Sequence, residues 1–369
     1  MTLEKPSATA IKKGSSMKNL EQYYTQLFEI QGNNPQSSAR TRDAEGSIPE
    51  EAREKLFNVS AEIKSKFHEL GSPMPPLLEG CTVLDLGCGT GRDTYLAAQL
   101  VGPAGKVIGI DPSEERLAIA QKYLDQEMKQ FGFDAPNVEF IQGFPEDLSA
   151  IADASIDVVI SNCVLNMSPD KAKVLSEVQR VLKEGGEFYF TDVYSDRRIP
   201  EALAFDPQWL AARLGGALYI EDFRRLAQDA GFMDPRYLIT FKTPLTPEET
   251  AAFDDVAFAT ITSRLINTNL TEDICESFGE KVTYLGTLPD FPDYFLFDKD
   301  IKFPTGVECV VCGNVTGTVG TNRYKKIFNV EIDRSHHIGD THGDKIIKVA
   351  PDYEGIIDED DQPIQASCC

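Results

Sequence analysis

The sequence predicts an α/β fold, a doubly wound and mostly parallel sheet, followed by a smaller α+β domain. Three observations predict it. Short apolar runs alternate with helical patterns between residues 82 and 191. The first of these runs, at residues 82–86, passes through a glycine-rich turn into a helical pattern. Residues 256–330 are richer in aromatic and β-branched residues at the two-residue period of strands.

The chain upstream of the sheet predicts helices and a loop. Residues 1–16 are small and polar and predict a disordered leader, whereas residues 20–30 have the apolar spacing of a helix. Residues 31–47 are rich in Gly, Asn and Ser and predict a loop of the kind that covers active sites. Pro49 and the acidic residues after it predict a long helical segment that extends to residue 70.

The alternating region predicts strands at residues 82–86, 106–110, 138–141, 157–160 and 187–191, with helices at residues 90–100, 112–132 and 169–182. Because crossovers between parallel strands are right-handed, helices cover both faces and ligands lie beyond the carboxyl ends of the strands. Two prolines in residues 244–250 predict a hinge. The expected divisions are the leader 1–16, a domain 17–243 with an N-terminal helical cap, a domain 244–334 and a mobile acidic tail 335–369.

The overall charge limits the partners. The 369 residues include 59 acidic and 36 basic ones, a formal net charge of −23. Such a chain is not suited to nucleic acid or to an anionic membrane surface. No apolar run reaches the length of a membrane span, and the first residues lack the apolar core of a secretion signal. We therefore expect a cytoplasmic monomer with a small-molecule substrate.

The glycine-rich turn predicts the cofactor. Gly87, Gly89 and Gly91 occupy alternate positions, where glycine lets the backbone turn tightly and approach a ligand. The spacing differs from the G-x-G-x-x-G of dinucleotide sites, and Asp85 stands just before it. A carboxylate there would repel a pyrophosphate but suits the amine and sulfonium of S-adenosylmethionine. The turn therefore predicts a Rossmann-like methyltransferase that uses this cofactor.

Further cofactor contacts are predicted at the ends of other strands. Asp111 ends the second strand, where a carboxylate can accept both ribose hydroxyls. Gln142, Gly143 and Phe144 follow the third strand and offer backbone amides and an aromatic face to the adenine. The remaining predicted contacts are Cys88 in the turn and Asn162 after the fourth strand.

Three segments carry a resemblance to a known family. They are Ile-Ser-Asn-Cys-Val-Leu-Asn at residues 160–166, Gly-Gly-Glu-Phe-Tyr-Phe-Thr-Asp-Val-Tyr at 185–194 and Leu-Gly-Gly-Ala-Leu-Tyr at 214–219. With them the chain resembles the arsenite methyltransferases, continuously over residues 23–240 and more weakly to residue 330. The resemblance implies a class I methyltransferase fold and an arsenic site made of cysteine thiolates, since soft As(III) prefers sulfur.

The resemblance places only one of these thiols clearly in this chain. Cys163 matches the cysteine of the Asn-Cys-Val segment. Arg213 stands where the family has a cysteine before Leu-Gly-Gly-Ala-Leu-Tyr, and Leu70 stands at a third cysteine position. A fourth position falls near Thr41. A guanidinium in place of a thiol creates a site suited to an anion.

Three functions stay open. The chain could methylate trivalent arsenic with fewer thiols, either receiving it as a glutathione-type conjugate or recruiting another cysteine as a ligand: Cys81, Cys309, Cys312, Cys368 or Cys369. It could instead methylate an anionic metabolite, with Arg213 as the anion partner and Gly215 and Gly216 beside it. It could also bind S-adenosylmethionine without catalysis. A protonated acceptor would need a base, for which Asp192 is a strand-end candidate.

The other cysteines and the histidines predict no metal site. Cys309 and Cys312 have the spacing Cys-x-x-Cys, but no second pair accompanies them. In a strand their side chains would point to opposite faces. The acidic tail carries a histidine cluster, at residues 336–342, and ends on Cys368 and Cys369; both features are expected to be exposed.

Overall fold

The computed structural model describes residues 17–32, 50–67, 70–71, 73–204 and 206–340. The predicted leader, most of the predicted loop and the tail beyond Asp340 lie outside these residues. The helices are α1 (Met17–Gly32), α2 (Glu50–Phe57), α3 (Ala61–Ser65), α4 (Arg92–Val101), α5 (Glu114–Lys122), α6 (Leu124–Phe131), α7 (Val164–Met167), α8 (Lys171–Val181), α9 (Glu201–Ala204), α10 (Pro207–Ala211), α11 (Ile220–Asp229), α12 (Pro247–Phe253) and α13 (Gly313–Thr321).

The main sheet has the mostly parallel, doubly wound order that the sequence predicts. Its strands are β1 (Thr82–Leu86), β2 (Lys106–Asp111), β3 (Val138–Gln142), β4 (Ile156–Asn162), β5 (Leu182–Ser195), β6 (Leu218–Tyr219), β7 (Arg236–Lys242) and β8 (Phe258–Ile266). The order is β3-β2-β1-β4-β5-β8-β7, with β6 beside β5. Strands β1 to β6 pair in parallel, whereas β8 runs antiparallel to β5 and β7.

Two apolar cores hold helices against the two faces of this sheet. One joins strand residues such as Leu84 and Val159 to α8 and α11. The other joins Val83 and Val158 to α4 and to the α2–α3 region. Because successive strand residues face opposite sides, the same strands contribute side chains to both cores. Within the described part of the chain, none of the helices has the length and apolar surface that crossing a bilayer demands.

Several predicted boundaries were wrong. The predicted helix 112–132 is two helices, α5 and α6, which meet at Tyr123. The predicted segment 49–70 is broken between α2 and α3, where Ser60 is extended and donates its amide to Glu127 at 2.9 Å. Strand β5 begins five residues earlier than predicted, since the backbone is already extended at Leu182.

The main sheet continues past the predicted domain boundary at residue 244. Strand β8 lies beyond that boundary, yet it inserts between β5 and β7, pairing Thr191 with Thr262. The predicted hinge 244–250 instead starts helix α12, which Thr246 and Glu249 close with reciprocal side-chain and backbone hydrogen bonds. Residues after β8 form the remaining strands.

The C-terminal strands are β9 (Glu276–Ser277), β10 (Lys281–Tyr284), β11 (Tyr294–Leu296), β12 (Lys302–Pro304), β13 (Glu308–Val310), β14 (Phe328–Glu331) and β15 (Gly339–Asp340). They confirm that the two-residue period over residues 256–330 marks strands. The prediction that Cys309 and Cys312 face opposite sides of one strand was wrong. Strand β13 ends at Val310 and Cys312 is the N-cap residue of α13, so the two side chains are not held to opposite faces, and both lie in one apolar core.

A buried ionic cluster joins this region to the main sheet. Glu187 of β5 is fully buried and pairs with Arg264 of β8 at 2.7 Å and with Arg323. The hydroxyl of Tyr324 also donates to Glu187. Arg323 in turn donates to the carbonyl of Pro76 at 3.0 Å. Breaking one partner of such a cluster leaves uncompensated buried charge, so these contacts fix the C-terminal region onto the sheet.

Candidate cofactor and acceptor site

The glycine turn after β1 combines close packing with one open position. A Cβ at Gly87 would collide with the side chain of Val164, and one at Gly91 would lie 3.1 Å from Ala120. Gly89 has a left-handed φ of 56°, and no atom of the described chain lies within 4 Å of the position its Cβ would take. Gly87 and Gly91 therefore serve packing, whereas Gly89 borders space that a ligand can fill.

Asp85 is a buried carboxyl group directly beneath this turn. Its Oδ2 accepts a hydrogen bond from the Thr94 hydroxyl at 2.6 Å. Burial, and next the charge of Asp93, raise its pKa from 3.8 to about 8. A cation bound nearby would relieve this cost. The predicted partnership of Asp85 with a positively charged cofactor group therefore fits the site.

Asp111, at the end of β2, supports the turn as well. Its Oδ2 accepts the amide of Gly89 and its Oδ1 accepts the amide of Ser113, both at 2.8 Å. Ser113 in turn caps helix α5. Each carboxylate oxygen has a second lone pair, so the ribose contact predicted for Asp111 stays a prediction that this geometry allows.

The residues after β3 lie beside Asp111, because Asp111 pairs with Gln142 across the two strands. Gln142 is exposed and its side chain donates to the carbonyl of Pro112 at 3.3 Å, and the amide of Gly143 donates to the backbone carbonyl of Asp111 at 3.2 Å. Phe144 is buried instead and stacks on Tyr24 with ring centres 6.0 Å apart. Helix α1 thus covers this edge of the site.

The attachment of α1 was not foreseen from the sequence. The Tyr24 hydroxyl donates to Glu146 at 2.9 Å, and the Tyr23 hydroxyl donates to the carbonyl of Met167 at 2.7 Å. Glu146 also accepts the Ser168 hydroxyl at 2.5 Å. Helical periodicity marks the apolar face of α1, but no local signal links Tyr24 to a carboxylate 122 residues away.

Asn162, predicted to contact the cofactor, anchors another covering segment. Its Oδ1 accepts the amide of Leu70 at 3.0 Å and its Nδ2 donates to the carbonyl of Gly71 at 3.1 Å. Arg92, which sequence reasoning missed, donates to the same carbonyl at 2.9 Å and stacks on Phe67. These contacts hold Leu70 over the carboxyl ends of β1 and β4.

Cys163 lies where this segment meets the end of β4. It has a left-handed φ of 59°, and its amide donates to the carbonyl of Thr191 at 2.8 Å. Its side chain is fully buried in a cluster that includes Leu70 and Leu214. The structure thus brings together two positions that the family resemblance marks as thiol positions, residues 70 and 163.

Arg213 stands at the same cluster, since its neighbours Ala212 and Leu214 belong to it. Arg213 is 2% exposed, has a left-handed φ of 64° and accepts the Asn166 amide group at 3.3 Å through its carbonyl. A Cβ at Gly216 would collide with the Asn166 carbonyl. A Cβ at Gly215 would lie 2.9 Å from a carbonyl of α9. Both glycines therefore allow residues 213–219 to pack closely.

Asp192 is directed at the protein backbone. Its two oxygens accept the amides of Asn166 at 3.0 Å and Val193 at 3.1 Å. Burial raises the pKa of Asp192 and lowers that of Lys171, whose ammonium donates to three carbonyls of residues 165–168. The Arg213 guanidinium opposes the rise at Asp192. Asp192 is thus well placed to order residues 163–168, and its role as a base stays a prediction.

Cys88 packs inward from the glycine turn. It is 8% exposed, and a Cβ at Gly109 of β2 would lie 2.9 Å from its sulfur. Burial raises the pKa of the Cys88 thiol well above its usual value. This setting favours a packed neutral thiol that supports the turn from below.

Comparisons with known proteins agree on one family. Residues 77–231 match a methyltransferase domain. The chain is 40% identical over 324 residues to an arsenite methyltransferase of Aquipseudomonas alcaligenes, covering 87% of this chain and 92% of that one. It is 36% identical to the human arsenite methyltransferase, covering 86% of this chain and 84% of that one.

A solved structure agrees with both the sheet and the region after it. The arsenic(III) S-adenosylmethionine methyltransferase of Chlamydomonas reinhardtii is 40% identical and superimposes with a TM-score of 0.77. The match covers 79% of this chain and 99% of that one. These likenesses extend well beyond the glycine turn that many methyltransferases share. The chain belongs to the arsenite methyltransferase family and is an S-adenosylmethionine-dependent methyltransferase.

Proposed function

We propose that this enzyme methylates trivalent arsenic held by Cys163. The placement of Cys163 carries the proposal. It follows β4 at the edge where the glycine turn lies, and the next residue, Val164, packs against Gly87 of that turn. As(III) is a soft centre that prefers thiolate ligands. The names of the relatives, which are arsenite methyltransferases, support the same acceptor.

We place the cofactor in the open space beside Gly89 of the turn. S-adenosylmethionine supplies an electrophilic methyl group, which is transferred by in-line displacement. In the proposal, Asp85 faces its cationic end, Gly89 leaves room for it, and Asp111 accepts from its ribose. Leu70 and α1 exclude water from the space around the cofactor. Arsenic has its own lone pair and needs no base, so Asp192 acts by positioning residues 163–168.

We further propose that arsenic arrives as a thiol conjugate. The family resemblance implies thiols at positions where this chain has Leu70 and Arg213. One protein thiolate leaves two positions on a trivalent centre, and glutathione-type thiols can fill them. Leu70 shares the buried cluster of Cys163, so the conjugate would enter when the segment held by Asn162 opens.

The test follows methyl transfer from labelled S-adenosylmethionine to arsenite over a range of glutathione concentrations. The wild-type enzyme and Cys309→Ser, which alters a buried thiol in the C-terminal core, are expected to give methylated arsenic. Cys163→Ser is expected to give none. A wild-type enzyme that produces no methylated arsenic at any thiol concentration would end the proposal.

A second acceptor class is favoured by one observation. Arg213 places a buried guanidinium at the acceptor cluster, and its charge acts on Asp192. Such a group can pair with a carboxylate or phosphate of a small metabolite. Label taken up by an anionic fraction of a metabolite extract, with none on arsenite, would select this class. Arg213→Cys would then gain activity on arsenite.

We also propose that the enzyme is a cytoplasmic monomer. The support is its acidic composition, with a net charge of −23. Light scattering at assay concentration and fractionation of expressing cells test the two statements. A stable dimer, or recovery with membranes, would contradict them.

A further inference from the structure

Two cysteines far apart in sequence meet in the C-terminal core. Cys275 precedes β9, and Cys312 is the N-cap residue of α13. Their sulfur atoms are 3.1 Å apart and hydrogen-bonded, and the two residues are 4% and 0% exposed. The Cys-x-x-Cys spacing therefore does not predict the pair that forms, in which Cys312 lies against Cys275 and not against Cys309.

The surroundings of the pair favour a thiolate. A guanidinium nitrogen of Arg236 lies 3.5 Å from the Cys275 sulfur, and Arg236 is itself held by Asp234 and Asp298. Cys312 stands at the amino end of α13, where backbone amides favour negative charge. The hydrogen bond that links Cys312 to Cys275, with a smaller contribution from Arg236, lowers the pKa of Cys312 against the opposing effect of burial.

The pair lies directly beneath the surface. Ile274, the residue before Cys275, is 41% exposed, and Glu276 after it is half-buried. Cys275 is therefore in a short connecting segment, where a local opening exposes the sulfurs without unfolding the main sheet. Nothing in the proposed transfer reaction uses these two thiols.

We propose that Cys275 and Cys312 form a dithiol site that binds one trivalent arsenical through both sulfurs, separately from methyl transfer. Two As–S bonds form and two As–O bonds break, and the two thiol protons leave with the displaced hydroxides as water. No oxidation or reduction occurs. The binding requires neither S-adenosylmethionine nor Cys163, so it stands or falls independently of the proposed function.

The donor set selects this ligand over a closed zinc site. A structural zinc ion takes four protein ligands. Among the residues that the structure describes, no group of three or more His, Cys, Asp or Glu is arranged to hold a metal. A trivalent arsenical needs only two neighbouring sulfurs, because its third substituent can be a hydroxyl or an organic group.

The test uses phenylarsine oxide on the reduced full-length chain without S-adenosylmethionine. The background is Cys368→Ser with Cys369→Ser, which removes an adjacent thiol pair from the chain end. Native mass spectrometry is expected to show one bound phenylarsine that excess glutathione does not release but a small dithiol does. Cys275→Ser or Cys312→Ser is expected to weaken this binding on the order of 100-fold, because the chelate is lost.

The matched control is Cys309→Ser, which alters a buried thiol of the same core and is expected to keep the tight binding, as is Cys163→Ser. A second measurement needs no variant at the site. Phenylarsine oxide should protect Cys275 and Cys312 together from alkylation by N-ethylmaleimide in the background protein. Full binding by the Cys275 and Cys312 variants, or protection of neither thiol, would overturn the proposal. A disulfide between Cys275 and Cys312 that persists after treatment with reductant would overturn it too.

Discussion

Replacing Asp85 by Asn should stabilise the ligand-free enzyme and weaken its affinity for the cofactor. The pKa of Asp85 is raised from 3.8 to about 8 by burial and nearby carboxylates. Because folding raises this pKa, ionisation of the carboxyl group stabilises the unfolded chain more than the folded one. The cost is absent below pH 3.8 and grows as pH rises toward about 8. At pH 7 it amounts to roughly 4 kcal/mol, which Asn removes while keeping a hydrogen bond to Thr94.

The expected result is a rise in Tm of about 5 °C for ligand-free Asp85→Asn at pH 7. S-adenosylmethionine should stabilise the wild-type enzyme more than the variant, because the Asp85 carboxylate attracts the positive charge of the cofactor and the Asn amide does not. Isothermal titration calorimetry from pH 6 to pH 8 provides the second measurement. The ratio of variant Kd to wild-type Kd should increase with pH as Asp85 ionises, and the titration of the cofactor itself cancels in that ratio.

The matched control is Asp157→Asn, which removes the same charge at the amino end of β4, where Asp157 accepts the amide of Thr82 at 2.8 Å. Its Kd for S-adenosylmethionine should equal that of the wild-type enzyme. If Asp85→Asn binds the cofactor as tightly as the wild-type enzyme at every pH, the assignment of Asp85 is wrong. An unchanged ligand-free Tm would instead refute the argument from burial.

Three further predictions concern the edges of the site. Gly89→Ala should raise the Kd for S-adenosylmethionine about tenfold or more by calorimetry, since its Cβ enters the open space beside the turn. Leu70→Cys, which places a second thiol in the cluster of Cys163, should tighten arsenite binding without glutathione and reduce the thiol dependence of methylation. Tyr24→Phe removes the hydrogen bond to buried Glu146 and should lower the free energy of unfolding by about 1–3 kcal/mol in urea titrations.

Each of these changes has a control in the same chain. Gly80 has a left-handed φ of 72° and open space at its Cβ, so Gly80→Ala carries the same backbone strain away from the turn. Leu285→Cys adds a thiol on the surface, where Leu285 is 47% exposed. Tyr294→Phe removes a hydroxyl from a half-buried ring of β11 and should leave stability unchanged. Equal effects of a control and its partner would refute the corresponding assignment.

The parts of the fold that could be predicted from sequence are those with local signals. The turn at Gly87 to Gly91 and the strand ends at Asp111 and Asn162 follow from residue spacing within successive βα units, and the structure places them on one edge of the sheet. The acceptor cluster was indicated by family segments around Cys163 and Arg213. Periodicity and glycine chemistry sufficed there because neighbours in sequence are neighbours in space.

The parts that could not be predicted depend on contacts across long stretches of chain. Strand β8 is buried along all nine residues, but its sequence does not reveal that it inserts between β5 and β7. The break between α2 and α3 at Ser60 contains no glycine or proline that would predict it. The pairing of Cys275 with Cys312 across 37 residues likewise depends on how separate elements pack.

The Glu187 cluster determines which pieces of this enzyme can be exchanged with those of a relative. A chimera that joins the main sheet of this chain to a foreign C-terminal region would keep Glu187 and Arg264 but lose Arg323 and Tyr324. It would retain a buried carboxylate with half of its partners. A foreign region is therefore tolerated only when it supplies an arginine and a tyrosine at these two positions, so the unit whose residues must match is larger than the methyltransferase domain.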